Sequence, residues 1–187
     1  MAADVAEAMG KYSEIAFVDD GVVEKMPRFP LLGGSAVAEE KKDEYEVFVA
    51  IGNSRVRQQI MEKLDAEFAT LIHPSAIIGS NVTIGAGTII MPGAIINTET
   101  TIGKGVILNT ASSVDHECEI GDYCHVAVGA HLCGAVHVGE HTWIGAGATV
   151  IQCVNVCEKC MIGAGAVVTE NIGESGTYVG VPAKRIR

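Results

Sequence analysis

Five histidines lie in the second half of this chain of 187 residues, and they are its main candidates for chemistry: His116, His125, His131, His137 and His141. Histidine changes protonation state near neutral pH, so each could accept a proton in a reaction. His116 is followed directly by Glu117, whose carboxylate could orient the imidazole and favour its protonated form. Three histidines meeting at a subunit interface would instead form a zinc site. A single outward histidine can also be an ordinary solvated side chain, and spacing alone leaves these three readings open.

The histidines lie within a repeat. Every sixth residue from 78 to 168 is Ile, Leu or Val without a break, and we call these residues the anchors: Ile78, Ile84, Ile90, Ile96, Ile102, Leu108, Val114, Ile120, Val126, Leu132, Val138, Ile144, Val150, Val156, Ile162 and Val168. A hexapeptide period is typical of a parallel β-helix, and it matches neither the helical period of 3.6 nor the strand period of 2. Three hexads make one triangular coil, so we expect about five coils at the strand spacing of ~4.8 Å.

The slots around each anchor support this fold. The residue two positions before an anchor shares its inward face and is small or compact, as at Ala94 and Ala130. The residue after an anchor is often Gly, Asn or Asp, which tolerate positive φ, so we expect the sharp corners there.

The six cysteines fit the same slots. Cys118, Cys124 and Cys160 occupy the small inward position and are predicted to be structural thiols. Cys157 falls at a corner, so we do not expect the Cys157-x-x-Cys160 pair to converge on one ion, and no second CxxC completes a zinc set.

The first part of the chain has a different pattern, and we divide the sequence into residues 1–72, 73–172 and 173–187. Residues 2–9 indicate a helix, and residues 14–21, 45–53 and 68–72 indicate strands. Ser54 can cap a helix to about residue 66, with Val56, Ile60 and Leu64 on one face. This order predicts a small Rossmann-like α/β unit with a parallel sheet. Such a unit normally opens with a strand and a Gly-rich turn, so it reads as truncated here.

Composition excludes several classes of partner. The net charge of −10 argues against a surface for nucleic acid or anionic membrane. No apolar run approaches the ~20 residues that span a bilayer, and the N-terminus lacks the pattern of a signal peptide. We therefore expect a cytoplasmic protein.

Four segments carry a family resemblance. Residues 109–130 (NTASSVDHECEIGDYCHVAVGA) and residues 178–185 (YVGVPAKR) resemble the sugar acetyltransferases of the left-handed β-helix superfamily. Residues 17–20 (FVDD) and 50–53 (AIGN) extend the likeness into the α/β unit. The most similar groups act on UDP-4-amino-sugars of the bacillosamine type or on GDP-perosamine, or are sialic acid O-acetyltransferases.

The resemblance implies left-handed coils, no resident metal, and a homotrimer that binds acetyl-CoA in the cleft between neighbouring β-helices. It assigns His116 as general base with Glu117 as its partner. It also implies that the N–H of Gly134 faces the thioester oxygen. The remaining residues are assigned to acetyl-CoA (His125, Gly134, Ala146, Ala164, Lys184 and Arg185) or to the nucleotide sugar (Asp19, Asp20, Gly52 and Asn53).

Three alternatives stay open at this point. A sialic acid hydroxyl needs the same base and cofactor as an amine, although the α/β unit favours a nucleotide-linked amino sugar as acceptor. A trimeric scaffold that binds acetyl-CoA without turnover would share the same repeats. A γ-type zinc carbonic anhydrase would use histidines across a subunit interface.

Overall fold

A computed structural model describes residues 1–21 and 28–187 of the chain. They form a small α/β unit followed by a parallel β-helix, which confirms the predicted fold class. The α/β unit consists of α1 (Ala2–Met9), β1 (Phe17–Val18), β2 (Leu31–Gly33), α2 (Ala36–Glu40) and α3 (Ser54–Lys63). The helix predicted at residues 2–9 is therefore confirmed. No helix in the described residues is long and apolar enough to cross a membrane.

The β-helix is built from two-residue strands separated by four-residue corners. In chain order they are β3 (Leu71–Ile72), β4 (Ile77–Ile78), β5 (Thr83–Ile84), β6 (Ile89–Ile90), β7 (Ile95–Ile96), β8 (Thr101–Ile102), β9 (Ile107–Leu108), β10 (Ser113–Val114), β11 (Glu119–Ile120), β12 (His125–Val126), β13 (His131–Leu132), β14 (His137–Val138), β15 (Trp143–Ile144), β16 (Thr149–Val150), β17 (Asn155–Val156), β18 (Met161–Ile162) and β19 (Val167–Val168). A hairpin of β20 (Thr177–Val179) and β21 (Lys184–Arg185) follows.

The strands form three flat faces. Face 1 contains β3, β6, β9, β12, β15, β18 and the terminal hairpin; face 2 contains β4, β7, β10, β13, β16 and β19; face 3 contains β5, β8, β11, β14 and β17. From β3 to β16 each strand pairs in parallel with the strand 18 residues later, as Ser113 does with His131. Three hexads therefore make one coil, as predicted. Because β3 pairs with β6, residues 71–72 already belong to face 1 of the β-helix. The domain boundary between residues 72 and 73 stays a prediction.

The anchors fill the core of the β-helix from Ile90 to Val168. The first two differ: Ile78 is 37% exposed and Ile84 is half-buried, because no earlier coil lies beneath them on faces 2 and 3. The buried hydroxyls in the small inward slot are satisfied by the main chain. Thr100 Oγ1 donates to the carbonyl of Asp115 at 2.9 Å, and Thr142 Oγ1 donates to that of Cys157 at 2.9 Å.

The backbone φ angles at the corners contradict one prediction. Positive φ occurs three residues after an anchor, as at Glu117 (57°) and His141 (58°), not at the residue directly after it. The glycine directly after an anchor has another cause. A Cβ on Gly121 would lie 2.7 Å from the amide nitrogen of Glu140 on the next coil. Close stacking of successive coils, and not a left-handed backbone, therefore explains the glycine at position 121.

The cysteines confirm one expectation and contradict another. Cys118, Cys124 and Cys160 are buried in the inward slot, and burial raises the pKa of Cys124 to about 12. The corner position of Cys157 was expected to keep this pair from converging on one ion, yet the sulfur atoms of Cys157 and Cys160 lie 3.4 Å apart. Among the described residues no further metal-ligating side chain joins them. Cys157 is half-buried and packs against the core, so the corner turns its side chain inward.

The strands of the α/β unit are shorter than predicted. The strand expected at residues 14–21 is limited to β1, and the one at residues 45–53 to a single bridge between Val47 and Phe68. Both this bridge and the β1–β2 pair are parallel, as the sequence indicated. Neither β2 nor α2 was predicted from the sequence.

Helix α3 differs from the prediction in its N-cap, its last residue and its buried face. Its N-cap is Asn53 and not Ser54: Asn53 Oδ1 accepts from the amides of Arg55 and Val56, at 3.1 Å each. The helix ends at Lys63, and Val56 is exposed. The buried residues are Arg57 and Met61. The guanidinium of Arg57 is hydrogen-bonded to the main chain and takes the buried place that was expected of Val56.

Candidate active site

His116 lies at the corner between face 2 and face 3, directly after β10 and Asp115. Its Nδ1 is 3.0 Å from Glu117 Oε2, and its side chain is 51% exposed. A carboxylate can only accept, so Nδ1 carries the proton and Nε2 keeps its lone pair. The imidazole of His116 is thus held in the tautomer that a general base requires.

Asp115 fixes the backbone at this corner. Its Oδ1 accepts from the amide of His116 at 2.8 Å and from Asn97 Nδ2 at 2.7 Å. The hydrogen bond from Asn97, followed by that from the His116 amide, lowers the pKa of Asp115. Its carboxylate is therefore charged at neutral pH and committed to holding the turn.

Gly134 lies beside the imidazole, one coil further along. A Cβ at this position would come within 2.6 Å of His116 Nε2, so glycine makes room for the ring. Within the described residues the N–H of Gly134 has no acceptor. The structure therefore brings three predicted site residues together: His116, Glu117 and Gly134.

A second His–carboxylate pair shows what is particular about His116. His137 Nδ1 lies 3.1 Å from Glu119 Oε2, and both side chains are exposed on the flat of face 3. His131 Nδ1 similarly lies 2.8 Å from Ser113 Oγ on face 2. A histidine hydrogen-bonded to a carboxylate is thus not by itself evidence of a catalytic base. The glycine opposite the ring is what distinguishes His116. In the described parts of the chain no group of three or more metal-ligating side chains is arranged to hold an ion.

His125 is on β12, on face 1, away from the His116 corner. Its ring lies 4.4 Å from that of Trp143, tilted by 37°, and its Nε2 is 3.1 Å from Asn109 Nδ2. Burial first, and then the nearby charge of Arg57, lowers the pKa of His125 to about 4. His125 is therefore neutral at physiological pH. Its Nδ1 is buried and has no partner among the described residues.

Sequence reasoning missed both neighbours of His125. Trp143 is the only tryptophan of the chain, and it lies 18 residues after His125, which is the spacing of one coil. That spacing would have identified the stacked pair. Asn109 directly follows an anchor and was assigned only to a corner.

Ala146 and Ala164 occupy equivalent positions on successive coils. Both are exposed at the corner between face 1 and face 2, and the amide of Gly165 donates to the carbonyl of Ala146 at 2.9 Å. This corner and the His116 corner are the two opposite edges of face 2. On one chain the predicted acetyl-CoA residues therefore fall into two separate groups.

The terminal hairpin holds Lys184 and Arg185, both exposed. Arg185 Nη1 donates to Glu174 Oε2 at 2.7 Å, and its Nη2 donates to the carbonyl of Ser175 at 3.1 Å. Within the described residues Lys184 has no ion-pair partner. Lys184 is thus the more available of the two for an anionic ligand.

Asp19 and Asp20 follow β1 at its carboxyl end. Asp19 Oδ1 accepts from the amide of Gly21 at 2.7 Å, and Asp20 Oδ1 accepts from that of Ser35 at 2.7 Å. The hydrogen bonds from Ser35 lower the pKa of Asp20. Because β1 and β2 are parallel, the loop at residues 33–35 lies at the same edge as these carboxylates. Sequence reasoning missed this loop, although Gly33-Gly34-Ser35 is a turn signal.

Gly52 and Asn53 lie at the start of α3. The Oδ1 of Asn53 is engaged in capping the helix, and the carbonyl of Gly52 accepts from Arg57 Nη1 at 3.1 Å. Arg57 was not predicted as a site residue. A charged residue inside an amphipathic helix pattern gives no signal that it will be buried.

Two family descriptions match the chain. Residues 1–64 match the family described as the PglD N-terminal domain, and residues 75–110 and 135–170 match the hexapeptide repeat of succinyl-transferase. A curated relative, UDP-N-acetylbacillosamine N-acetyltransferase of Bacillus subtilis (strain 168), is 49% identical over 43 residues. That match spans 21% of this chain and 20% of the relative.

Solved structures match the whole fold. The acetyltransferase domain of PglB from Neisseria gonorrhoeae FA1090, in complex with acetyl coenzyme A, is 36% identical with a TM-score of 0.95. The alignment covers 99% of this chain and 92% of that one. PerB from Caulobacter crescentus, in complex with CoA and GDP-perosamine, is 34% identical with a TM-score of 0.92 over 100% of this chain and 91% of that one.

Proposed function

This chain belongs to the family of sugar N-acetyltransferases that join a PglD N-terminal domain to hexapeptide repeats, and on that premise we propose that it acetylates the amino group of a nucleotide-linked amino sugar. It is an acyltransferase, and acetyl-CoA is its acetyl donor. The assignment of the site rests on the imidazole of His116. Its Nδ1 is hydrogen-bonded to Glu117, and its Nε2 lies beside Gly134.

His116 acts as the general base in this proposal. Its Nε2 takes a proton from the sugar amine while the amine nitrogen attacks the carbonyl carbon of the thioester. A C–N bond forms and the C–S bond then breaks, and the sulfur of CoA takes the proton back from the imidazolium. Glu117 stabilises that imidazolium through Nδ1–H. The N–H of Gly134 donates to the oxyanion of the tetrahedral intermediate.

A complete site needs more than one copy of the chain. The acetyl-CoA candidates Ala146 and Ala164 lie on one edge of face 2, and His116 and Gly134 lie on the other. A neighbouring copy that presents its alanine corner to the His116 corner would bring both groups onto one cofactor. A homotrimer closes this arrangement with three equal sites, each shared by two subunits. Lys184 then supplies a positive charge for the phosphates of CoA.

The acceptor is a UDP-linked 4-amino sugar, held by the loops at the carboxyl ends of the α/β strands. Asp19 and Asp20 lie at that edge of β1, where nucleotides bind in open parallel sheets. Gly52 and Asn53 form the corresponding loop before α3. The curated relative acts on a sugar of this class.

An acetyl-transfer assay tests the proposed function directly. Purified protein is incubated with acetyl-CoA and, in turn, UDP-4-amino sugars, the matching 4-hydroxy sugar nucleotides, GDP-perosamine, free sialic acid and a buffer blank, while release of the CoA thiol is followed. We expect turnover with one UDP-4-amino sugar and none with the matching 4-hydroxy sugar nucleotide. Turnover with sialic acid alone would make the enzyme an O-acetyltransferase. Binding of acetyl-CoA without turnover of any acceptor would favour the scaffold.

Substitution of Gly134 tests the geometry of the site. Gly134→Ala places a methyl group where the His116 ring lies, so the imidazole must move while the coil stays intact. We expect kcat to fall by about 100-fold, the scale of loss for a misplacement near 1 Å. The measurement is steady-state kinetics beside thermal unfolding. Gly173→Ala, at a glycine with open space around it, is the matched control and should keep full activity. Normal kcat in Gly134→Ala would contradict the assigned position of the base.

A further inference from the structure

Arg57 is a fully buried charge in the junction between the α/β unit and the β-helix. Its exposure is 0%, and it projects from α3 toward the corner between face 3 and face 1. Among the described residues no carboxylate lies within ion-pair distance of its guanidinium. A buried charge without a counter-ion is costly unless hydrogen bonds compensate for it, so its partners identify what it is built to hold.

Those partners are four main-chain carbonyls from both units. Nε donates to Gly105 at 2.7 Å and Nη2 donates to Tyr123 at 2.9 Å, on two successive coils of the β-helix. Nη1 donates to Ile51 at 2.6 Å and to Gly52 at 3.1 Å, in the loop that leads into α3. The rigid fork of the guanidinium therefore fixes the Gly52–Asn53 loop against the coil that carries His125.

We propose that Arg57 is a positioning residue for the acceptor: it holds the Gly52–Asn53 loop in register with the acetyl-transfer coils through these four carbonyls. The inference rests on the proposed function, in which that loop binds the nucleotide sugar. A loop displaced relative to the coils would bind the same nucleotide but present the amine away from the thioester. Arg57 therefore affects how the acceptor is used and not how acetyl-CoA is bound.

The neighbourhood of Arg57 supports this role. Tyr123 is two residues before His125, whose pKa is lowered first by burial and then by the positive charge of Arg57. Met61, one turn further along α3, is buried in the same junction and packs with Val49 and Tyr123. Arg57 and Met61 therefore share one interface, but only Arg57 bonds to the loop.

This pair of residues gives the test a matched control. Kinetics are measured for Arg57→Lys and Met61→Ala, with the acceptor and acetyl-CoA varied separately, beside thermal unfolding. Lysine keeps the charge but lacks the planar fork, so we expect kcat/KM for the acceptor to fall about tenfold or more while KM for acetyl-CoA stays within about twofold. Met61→Ala should lower the unfolding temperature and leave kcat/KM for the acceptor within about twofold of wild type.

The outcomes separate the inference from the proposed function. If the wild type turns over no amino sugar, the proposed function fails and the inference fails with it. If the wild type is active but the two variants lower kcat/KM for the acceptor equally, or Arg57→Lys does not lower it, Arg57 is structural and only the inference is overturned. Failure of both Arg57→Lys and Arg57→Gln to fold would likewise assign Arg57 to stability alone.

Discussion

Replacement of His116 by alanine is expected to lower kcat by about 100-fold to 10,000-fold, the range that general-base catalysis contributes. The reason is local: Nε2 of His116, beside Gly134, is the proton acceptor in the proposed mechanism, and alanine offers none. Because the side chain is half-exposed and outside the core, the unfolding temperature should change by no more than about 2 °C. The loss is measured by thiol release at saturating acetyl-CoA and acceptor.

His137→Ala is the matched control for this prediction. His137 forms the same kind of hydrogen bond to a carboxylate as His116, with its Nδ1 3.1 Å from Glu119 Oε2, but it lies on the flat of face 3 with no glycine opposite its ring. We expect it to keep wild-type kcat. Equal loss in both variants would indicate a shared effect on the β-helix, and near-normal activity in His116→Ala would remove the histidine from the role of base.

The β-helix was predictable because its determinants repeat. An inward aliphatic residue at every sixth position has no competing explanation, and from Ile90 onward the structure buries each one. The corner was misread for a physical reason. Glycine is favoured both where φ is positive and where two coils stack closely, and composition cannot separate these two causes. Nine non-glycine residues in the described part of the chain have positive φ, each three positions after an anchor, whereas a Cβ on Gly121, directly after an anchor, would meet the main chain of the next coil.

The α/β unit was less predictable because its contacts are not periodic. Val56 was expected in the core on helical spacing, yet Arg57 is buried in its place because four carbonyls of distant segments converge on it. The same limit applies to the site. The pairing of His116 with Glu117 could be proposed from adjacency, whereas the reliance of the ring on Gly134 appears only when residues 18 apart are stacked.

A carboxylate inside the β-helix is expected to abolish folding. Val126 is 0% exposed on β12 and pairs with Leu108 and Ile144 on the coils before and after it. In Val126→Asp the core offers no charged partner, so the cost is several kcal/mol, a large part of the ~5–15 kcal/mol that stabilises a typical domain. Because each coil stacks only on its neighbours, the damage interrupts the column at its middle. Circular dichroism and the soluble yield measure the result.

Two further variants distinguish the buried charge from other effects of substitution in the β-helix. Val126→Ala removes only apolar contacts, and we expect a folded protein that is about 1–3 kcal/mol less stable in urea unfolding. Asn155→Asp adds a carboxylate at an exposed, outward strand position and should change stability by less than about 0.5 kcal/mol. A soluble Val126→Asp protein with the circular dichroism of the wild type would mean that residue 126 does not point inward. The anchor register from Ile78 to Val168 would then be wrong, and with it the placement of the His116 corner beside Gly134.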